Sequence, residues 1–213
     1  MAKKASIEKD ISTEEKIKEA ARKLFTTRGY AATRTRDIAQ EAGINLALLN
    51  YYFRSKEKLF HIIRTESLHK IGEEIVRIIY QEETSLEEKI QKLVAYYTET
   101  LTKEPDLPLF VLTEIRNNPE QLADKIGIRD KVMHSVLMQQ IMQGVMAGKL
   151  RPIHPVHFII NTISLTVFPF VAGPMLKLVA NLDESAFAAL TAERKELVPQ
   201  WVMMTMTQPD KQQ

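Results

Sequence analysis

The chain has 213 residues, with seven glycines, a hydrophobic fraction of 45% and no cysteine. Without cysteine there are no disulfides, thiolate metal sites or cysteine nucleophiles, and the scarcity of alternating β-branched runs points to an all-α chain, a small unit joined to a larger one. The net charge is only +2, but residues 1–60 hold thirteen basic and eight acidic side chains while the rest hold sixteen and nineteen, so a head of +5 precedes a body of −3, the distribution that phosphate binding by the head requires.

In chain order, the opening stretch MAKKASIEKDIST mixes charges and lacks the apolar run of a signal peptide, which leads us to expect a cytoplasmic protein. Residues 1–11, with Lys3, Lys4 and Lys9, read as a polar arm, either solvated or touching phosphates. Ser12 and Glu15 have the spacing of a capping box. Ile17, Ala20, Ala21, Leu24 and Phe25 then repeat at helical spacing, predicting a first helix that Gly29 ends and whose core Tyr30 closes.

Ile38 and Ala39, with Ala42 one turn on, predict a second helix stopped by Gly43, and Asn45 can cap a third by accepting a backbone amide bond. Within that third helix Leu49 and Phe53, four apart, turn inward with Ile44, while Leu46, Ala47, Asn50 and Tyr51 project elsewhere. Two short helices across a glycine turn make a helix-turn-helix. The exposed set Leu46, Ala47, Asn50, Tyr51 and Tyr52 suits a DNA groove. Asparagine pairs with the N6/N7 edge of adenine, small apolar groups touch thymine methyls, and tyrosine hydroxyls bond phosphate oxygens. A buried helical hairpin, with Leu46, Leu48 and the tyrosines in a core, is the competing account.

Together with the residues upstream, this stretch resembles the DNA-binding domain of the TetR family of bacterial transcriptional repressors. The match covers residues 17–60, through Ile17, Ala20, Ala21, Leu24, Phe25, Gly29, Tyr30, Ala32, Thr33, Arg36, Asp37, Ile38, Ala39, Ala42, Gly43, Leu49, Tyr51, Phe53, Ser55, Lys56, Leu59 and Phe60. The resemblance implies a three-helix DNA-binding head in residues 1–54 and a larger helical effector-binding and dimerisation domain in residues 55–213. It also implies a homodimeric repressor that binds a palindromic double-stranded operator and is released by a small molecule. The family's phosphate-holding positions fall on Thr35, Asn45, Tyr51, Tyr52 and Lys56. At the start of the recognition helix members commonly carry lysine, arginine or glutamine, then a small residue, then a polar one. Here Leu46, Ala47 and Leu48 stand there, so polar base reading falls to Asn50, with Arg36 as the second candidate.

Ser55 restarts the chain as a helix whose apolar positions, Leu59, Ile62, Ile63, Leu68, Ile71, Ile75, Ile78 and Ile79, carry it to about Tyr80, long enough to act as a lever between head and body. Ser85 with Glu88 marks a capped helix reaching Lys103, where Pro105 and Pro108 break it. A short helix over residues 109–116 follows. Residues 120–147 read as one long amphipathic segment with a bend at Gly127, carrying Met133, Leu137, Ile141 and Val145 at four-residue steps. Residues 156–180 are the most apolar part, yet they contain Asn161, Thr162, Ser164 and Thr166 and are interrupted at Pro169 and Gly173-Pro174. We expect a buried helix ending near Pro169, then a short turn of helix, and no membrane span. After Asp183 a last helix carries Phe187, Leu190, Leu197, Trp201 and Met204. In TetR-like proteins the last two long helices of each subunit form a four-helix dimer interface, and a two-fold protein is what a palindromic site requires.

Catalytic signals are weak. His154 and His157 stand three apart beside Pro152 and Pro155 with no nearby carboxylate, and neither a glycine-rich phosphate loop nor a Gly-x-Ser-x-Gly motif occurs. We expect no enzyme, no cofactor and no metal; a DNA-binding protein without an effector is the closer alternative. Candidates for an effector pocket are Tyr96, Tyr97, Phe110, Met133, His134, Met138, Phe158, Asn161 and Phe168, each of which would equally serve as core.

Overall fold

The computed structural model describes residues 2–208, with side chains from Ser12 onward, and these form eleven helices and no strand. Contacts divide the chain into two compact units, residues 1–68 and 69–213. The division expected at 54/55 assigns all of the fourth helix to the body; by contacts its first half belongs with the head.

The head consists of α1 (Ala2–Ala32), α2 (Thr35–Glu41), α3 (Leu46–Phe53) and the first half of α4 (Lys56–Ile79). Helices α1, α3 and α4 contribute residues three or four apart to one core, Ile17, Ala21, Leu24 and Phe25 from α1, Leu49 and Phe53 from α3, Leu59 and Ile63 from α4, and α2 adds the adjacent pair Ile38 and Ala39. Side chains three or four apart share a helix face, and each fully buried Leu, Ile or Phe contributes about 2 kcal/mol. The rings of Phe25, Tyr30 and Phe60 meet with centroids 4.5–5.7 Å apart. At the rim, Glu66 of α4 accepts from Lys18 at 2.8 Å and also pairs with Arg22.

The expected start of α1 is corrected. The helix is already formed from Ala2, so Ser12 lies inside it and cannot cap it. A cap needs an extended backbone at Ser12, whereas the alanines, lysines and glutamates before it are good helix formers. Phosphate contact by Lys3, Lys4 and Lys9 concerns side chains outside the described residues. The expected break at Gly29 is present (φ 77°, ψ 162°), with a further helical turn to Ala32 beyond it, and the Thr33 hydroxyl lies 2.8 Å from the Gly29 carbonyl and 3.2 Å from that of Leu24, satisfying groups the break would leave open.

The body contains the second half of α4 and α5 (Leu86–Lys103), α6 (Leu107–Asn117), α7 (Pro119–Ile126), α8 (Val136–Met146), α9 (Val156–Val171), α10 (Gly173–Val179) and α11 (Glu184–Met206). The capping box at α5 forms as expected: Glu88 N donates to Ser85 Oγ at 3.2 Å, and Ser85 N to Glu88 Oε2 at 2.7 Å. Helices α5, α9 and α11 pack on one another and carry the centre of this core, including Ile90, Val94, Phe158, Val198 and Val202.

The long segment expected over 120–147 is two helices. Gly127 takes a left-handed conformation (φ 70°) that ends α7, and turns then lead to Ser135, whose hydroxyl caps α8 by accepting from Met138 N. The four-residue apolar steps that suggested one helix belong to α8 alone, through Leu137, Ile141 and Val145, while Met133 lies in the turns before it and is half exposed. Helix α7 is held against α4 by a very close approach: a Cβ on Gly72 would lie 1.5 Å from the Ile126 carbonyl oxygen, so no other residue fits there.

Helix α9 ends at Val171, near Pro169 as expected, and the short α10 follows; the proline itself lies in the last turn of α9. A proline cannot donate to the carbonyl four residues back, which here is Leu165. The Arg194 guanidinium of α11 donates to that carbonyl at 2.7 Å, so the group the proline strands is satisfied from another helix. No single helix among the described residues is long and apolar enough to cross a membrane; α9 and α10 pass by composition only as a pair, and they are bent by 68°.

Candidate nucleic-acid interface

The helix-turn-helix is positioned by short-range chemistry. Arg34 N donates to Asp37 Oδ2 at 3.0 Å and starts α2, Gly43 turns the chain at φ 67°, and Ile44 N returns to the Ala39 carbonyl at 2.9 Å. Asn45 Oδ1 then accepts from Leu48 N at 2.8 Å, the expected cap of α3. With Leu49 and Phe53 buried beneath, α3 leaves Ala47, Asn50 and Tyr51 on its outer side, Tyr51 at 78% exposure, and Leu46, Leu48 and Tyr52 at the margins. Tyr51 and Tyr52 meet edge to face, 5.4 Å between centroids. Arg36 is exposed on α2, and Thr35 is half-buried at its start. A buried hairpin, the competing account of the sequence, would enclose Tyr51, and it does not.

Lys56 has a role that its position in the sequence conceals. Its ammonium donates to the carbonyls of Tyr30 and Thr33, each at 2.9 Å, and sits 4.1 Å from the centre of the Tyr30 ring. It therefore ties the start of α4 to the connection between α1 and α2. The partner residues are 23 and 26 positions away, beyond the reach of any local pattern. Sequence reasoning also passed over Arg34, Arg54 and Lys58, which are exposed cations of the same unit.

In the body, the candidate pocket residues do not converge as a set. A cavity of about 80 Å3 is lined by Ile75, Ile79, Leu93, Tyr97, Ile128, Val132, Leu137, Phe158, Ile159, Thr162 and Ile163. Of the nine residues expected, Tyr97 and Phe158 are there. Tyr96, Phe110, Met133, His134, Met138, Asn161 and Phe168 are not among its lining: Met133 and Phe168 are 50% and 61% exposed, His134 Nδ1 faces the Asp130 carbonyl at 2.6 Å, and Asn161 reaches Thr205 on α11 at 3.5 Å. The cavity is walled largely by Ile, Leu and Val, which no aromatic or polar pattern singles out. Tyr97 is half-buried, and its hydroxyl lies deep enough that burial pushes its pKa up.

The two histidines are both exposed, and His154 Nδ1 accepts from Val156 N at 3.3 Å at the start of α9. Among the described residues, no group of three His, Cys, Asp or Glu side chains could hold a metal ion. Helices α9 and α11 leave large apolar side chains exposed: Val156, Ile160 and Ile163 on the first, Trp201 and Met204 on the second.

These arrangements agree with comparisons to known proteins. Residues 17–63 match the bacterial regulatory proteins of the tetR family, and residues 87–202 match the tetracyclin repressor-like C-terminal domain. The chain is 27% identical over 169 residues to the probable HTH-type transcriptional regulator YttP of Bacillus subtilis (strain 168), a match spanning 76% of this chain and 78% of that one. Among solved structures, a TetR family transcription regulator from Marinobacter aquaeolei VT8 has the same fold, with a TM-score of 0.58 at 18% identity, over 95% of this chain and 99% of that one. The transcriptional regulator FadR from Bacillus subtilis, in complex with stearoyl-CoA, is similar at a TM-score of 0.57 and 17% identity, over 90% and 98%. The chain belongs to the tetR family of bacterial regulatory proteins and is a DNA-binding transcriptional regulator.

Proposed function

We propose that the protein is a homodimeric repressor whose residues 1–54 bind a palindromic operator and whose residues 55–213 form the dimer and take up a small-molecule effector that releases it. The observation that carries this reading is the outer side of α3, where Ala47, Asn50 and Tyr51 stand exposed over a fully packed core. Asn50 reads adenine, Leu46 and Ala47 contact thymine methyls, and Arg36 supplies any G·C preference, so half-sites are rich in A·T opposite this helix.

Thr35, Asn45, Tyr51 and Tyr52 hold phosphates. The side-chain oxygen of Asn45 is occupied by its cap, and its amide NH2 remains to donate to a phosphate oxygen. Lys56 belongs to the same anchoring set, and its bonds to Tyr30 and Thr33 orient it within the head. Dimerisation uses the exposed apolar residues of α9 and α11, because a four-helix interface buries surface that a monomer leaves wet, and it sets two recognition helices about 34 Å apart or a multiple of that. Helix α4 carries residues of both units and is the route by which effector binding alters the head.

Selection of binding sites from random oligonucleotides, with the wild type and with Asn50→Ala, tests the reading. The expected outcome is a two-fold symmetric, A·T-rich consensus whose affinity falls by about 1 to 3 kcal/mol in the variant, with little change on random DNA. A G·C-rich consensus opposite α3 that ignores Asn50 would refute it.

A further inference from the structure

The cavity in the body says what kind of molecule it can accept. None of its eleven lining side chains is charged, and nine of them offer only carbon to a ligand. The two exceptions are Tyr97 and Thr162. The Thr162 hydroxyl already donates to the Phe158 carbonyl at 2.9 Å, as a helical threonine commonly does, which leaves Tyr97 as the other polar side chain of the lining. A pocket that is apolar apart from one or two polar groups uses those groups to orient what it binds.

We infer that the effector taken up here is an electrically neutral, largely apolar small molecule with one hydrogen-bonding group, which meets the Tyr97 hydroxyl. The inference rests on the effector reading proposed above and gives it a chemical class. A carboxylate, phosphate or ammonium carried into this cavity would lose its hydration with no opposite charge among the lining residues to replace it, and that penalty outweighs the gain from apolar contact. Size narrows the class further. An engineered apolar cavity of roughly 150 Å3 takes up benzene. The present volume of about 80 Å3 accepts a short alkyl group as it stands, and a single ring once the flexible Ile and Leu walls give way.

Thermal unfolding of the full-length protein with four probes of one size decides the matter: toluene, para-cresol, benzoate and benzylammonium. At saturating concentration the two neutral compounds raise the midpoint by about 2 °C or more, para-cresol more than toluene, and the two ions leave it unchanged. Tyr97→Phe, a mild substitution, removes the advantage of para-cresol and keeps the effect of toluene. Stabilisation by either ion equal to that by toluene would overturn the inference, as would a para-cresol advantage that survives in Tyr97→Phe. Should none of the four probes act, a crystal pressurised with xenon still decides: xenon among Ile75, Leu93 and Phe158 upholds the apolar site, and its absence overturns it. Operator binding is measured alongside. If a neutral probe binds and operator affinity stays the same, the effector reading falls and the chemistry of the cavity stands; if an ion releases the operator, the reverse holds.

Discussion

The head and the body are both helical and both close around an apolar core, but the contacts that set the recognition helix and those that hold α9 and α7 in place span very different lengths of chain. In the head the turn-forming bonds join near neighbours: Arg34 to Asp37, Ile44 to Ala39, Leu48 to Asn45. In the body the corresponding work is done between Arg194 and Leu165, 29 positions apart, and between Gly72 and Ile126, which lie on different helices. A unit whose geometry is written in caps and glycine turns must keep particular residues at particular spacings. A unit whose geometry comes from helices pressed together can meet the same need in many ways. The exposed face of α3 follows from the first kind of constraint, and the cavity beside Tyr97 from the second.

The largest test of that contrast is Gly72→Ala. The added carbon would lie 1.5 Å from a backbone oxygen that cannot move without displacing α7, so we expect a loss of about 3 kcal/mol or more in urea unfolding. The matching change in the head, Gly43→Ala, meets no atom within 4 Å and pays only for its left-handed backbone at φ 67°, about 1 kcal/mol. Equal losses from the two would erase the distinction.

Next in size is Arg194→Leu, which strands the Leu165 carbonyl again and should cost about 2 kcal/mol. Pro169→Ala restores a backbone N–H in α9, so in its presence the same change should cost about 1 kcal/mol less. Additive losses in the double-mutant cycle would show that the arginine does not compensate for the proline.

Lys56→Met sharpens the account of the head, since it keeps the stem and removes the ammonium. With two carbonyl bonds and the contact with the Tyr30 ring lost, stability should fall by about 1 to 2 kcal/mol. If Lys56 also holds a phosphate, the salt dependence of operator binding drops by about one unit of slope. Loss of slope with unchanged stability would mean that the carbonyl bonds are incidental.

The smallest effect concerns Glu66. Burial works to raise its pKa, but hydrogen bonding and charge from Lys18, joined by Arg22, outweigh it and hold the carboxyl below its ordinary value of 4.5. A carboxylate whose pKa is lower folded than unfolded stabilises above the unfolded value, and the contribution is lost as pH falls through the folded one. The side chain is 33% exposed and screened by water, so the contribution is under about 1 kcal/mol. In Glu66→Gln the stability difference between pH 7 and pH 3 should shrink by that amount, and an unchanged difference would remove the pair from the account of the head.

By itself the sequence determined the helix-turn-helix, its cap at Asn45, its inward pair Leu49 and Phe53 and its outward Asn50 and Tyr51, because helical spacing and capping act over three or four residues and can be read along one strand of text. The capped start of α5 was readable for the same reason. The break between α7 and α8 was placed at Gly127 only as a bend, since the apolar period of Leu137, Ile141 and Val145 extends back in the sequence to Met133, which lies in the turns ahead of α8. Only the tertiary structure decided that Arg194 meets the Leu165 carbonyl that Pro169 leaves open, that Lys56 clasps the carbonyls of Tyr30 and Thr33, and that Tyr97 and Phe158 share a cavity with isoleucines while Phe168 and Met133 face outward. Each of these depends on a partner brought close by packing, and an apolar side chain looks the same in a sequence whether it fills a core, walls a cavity or waits at an interface.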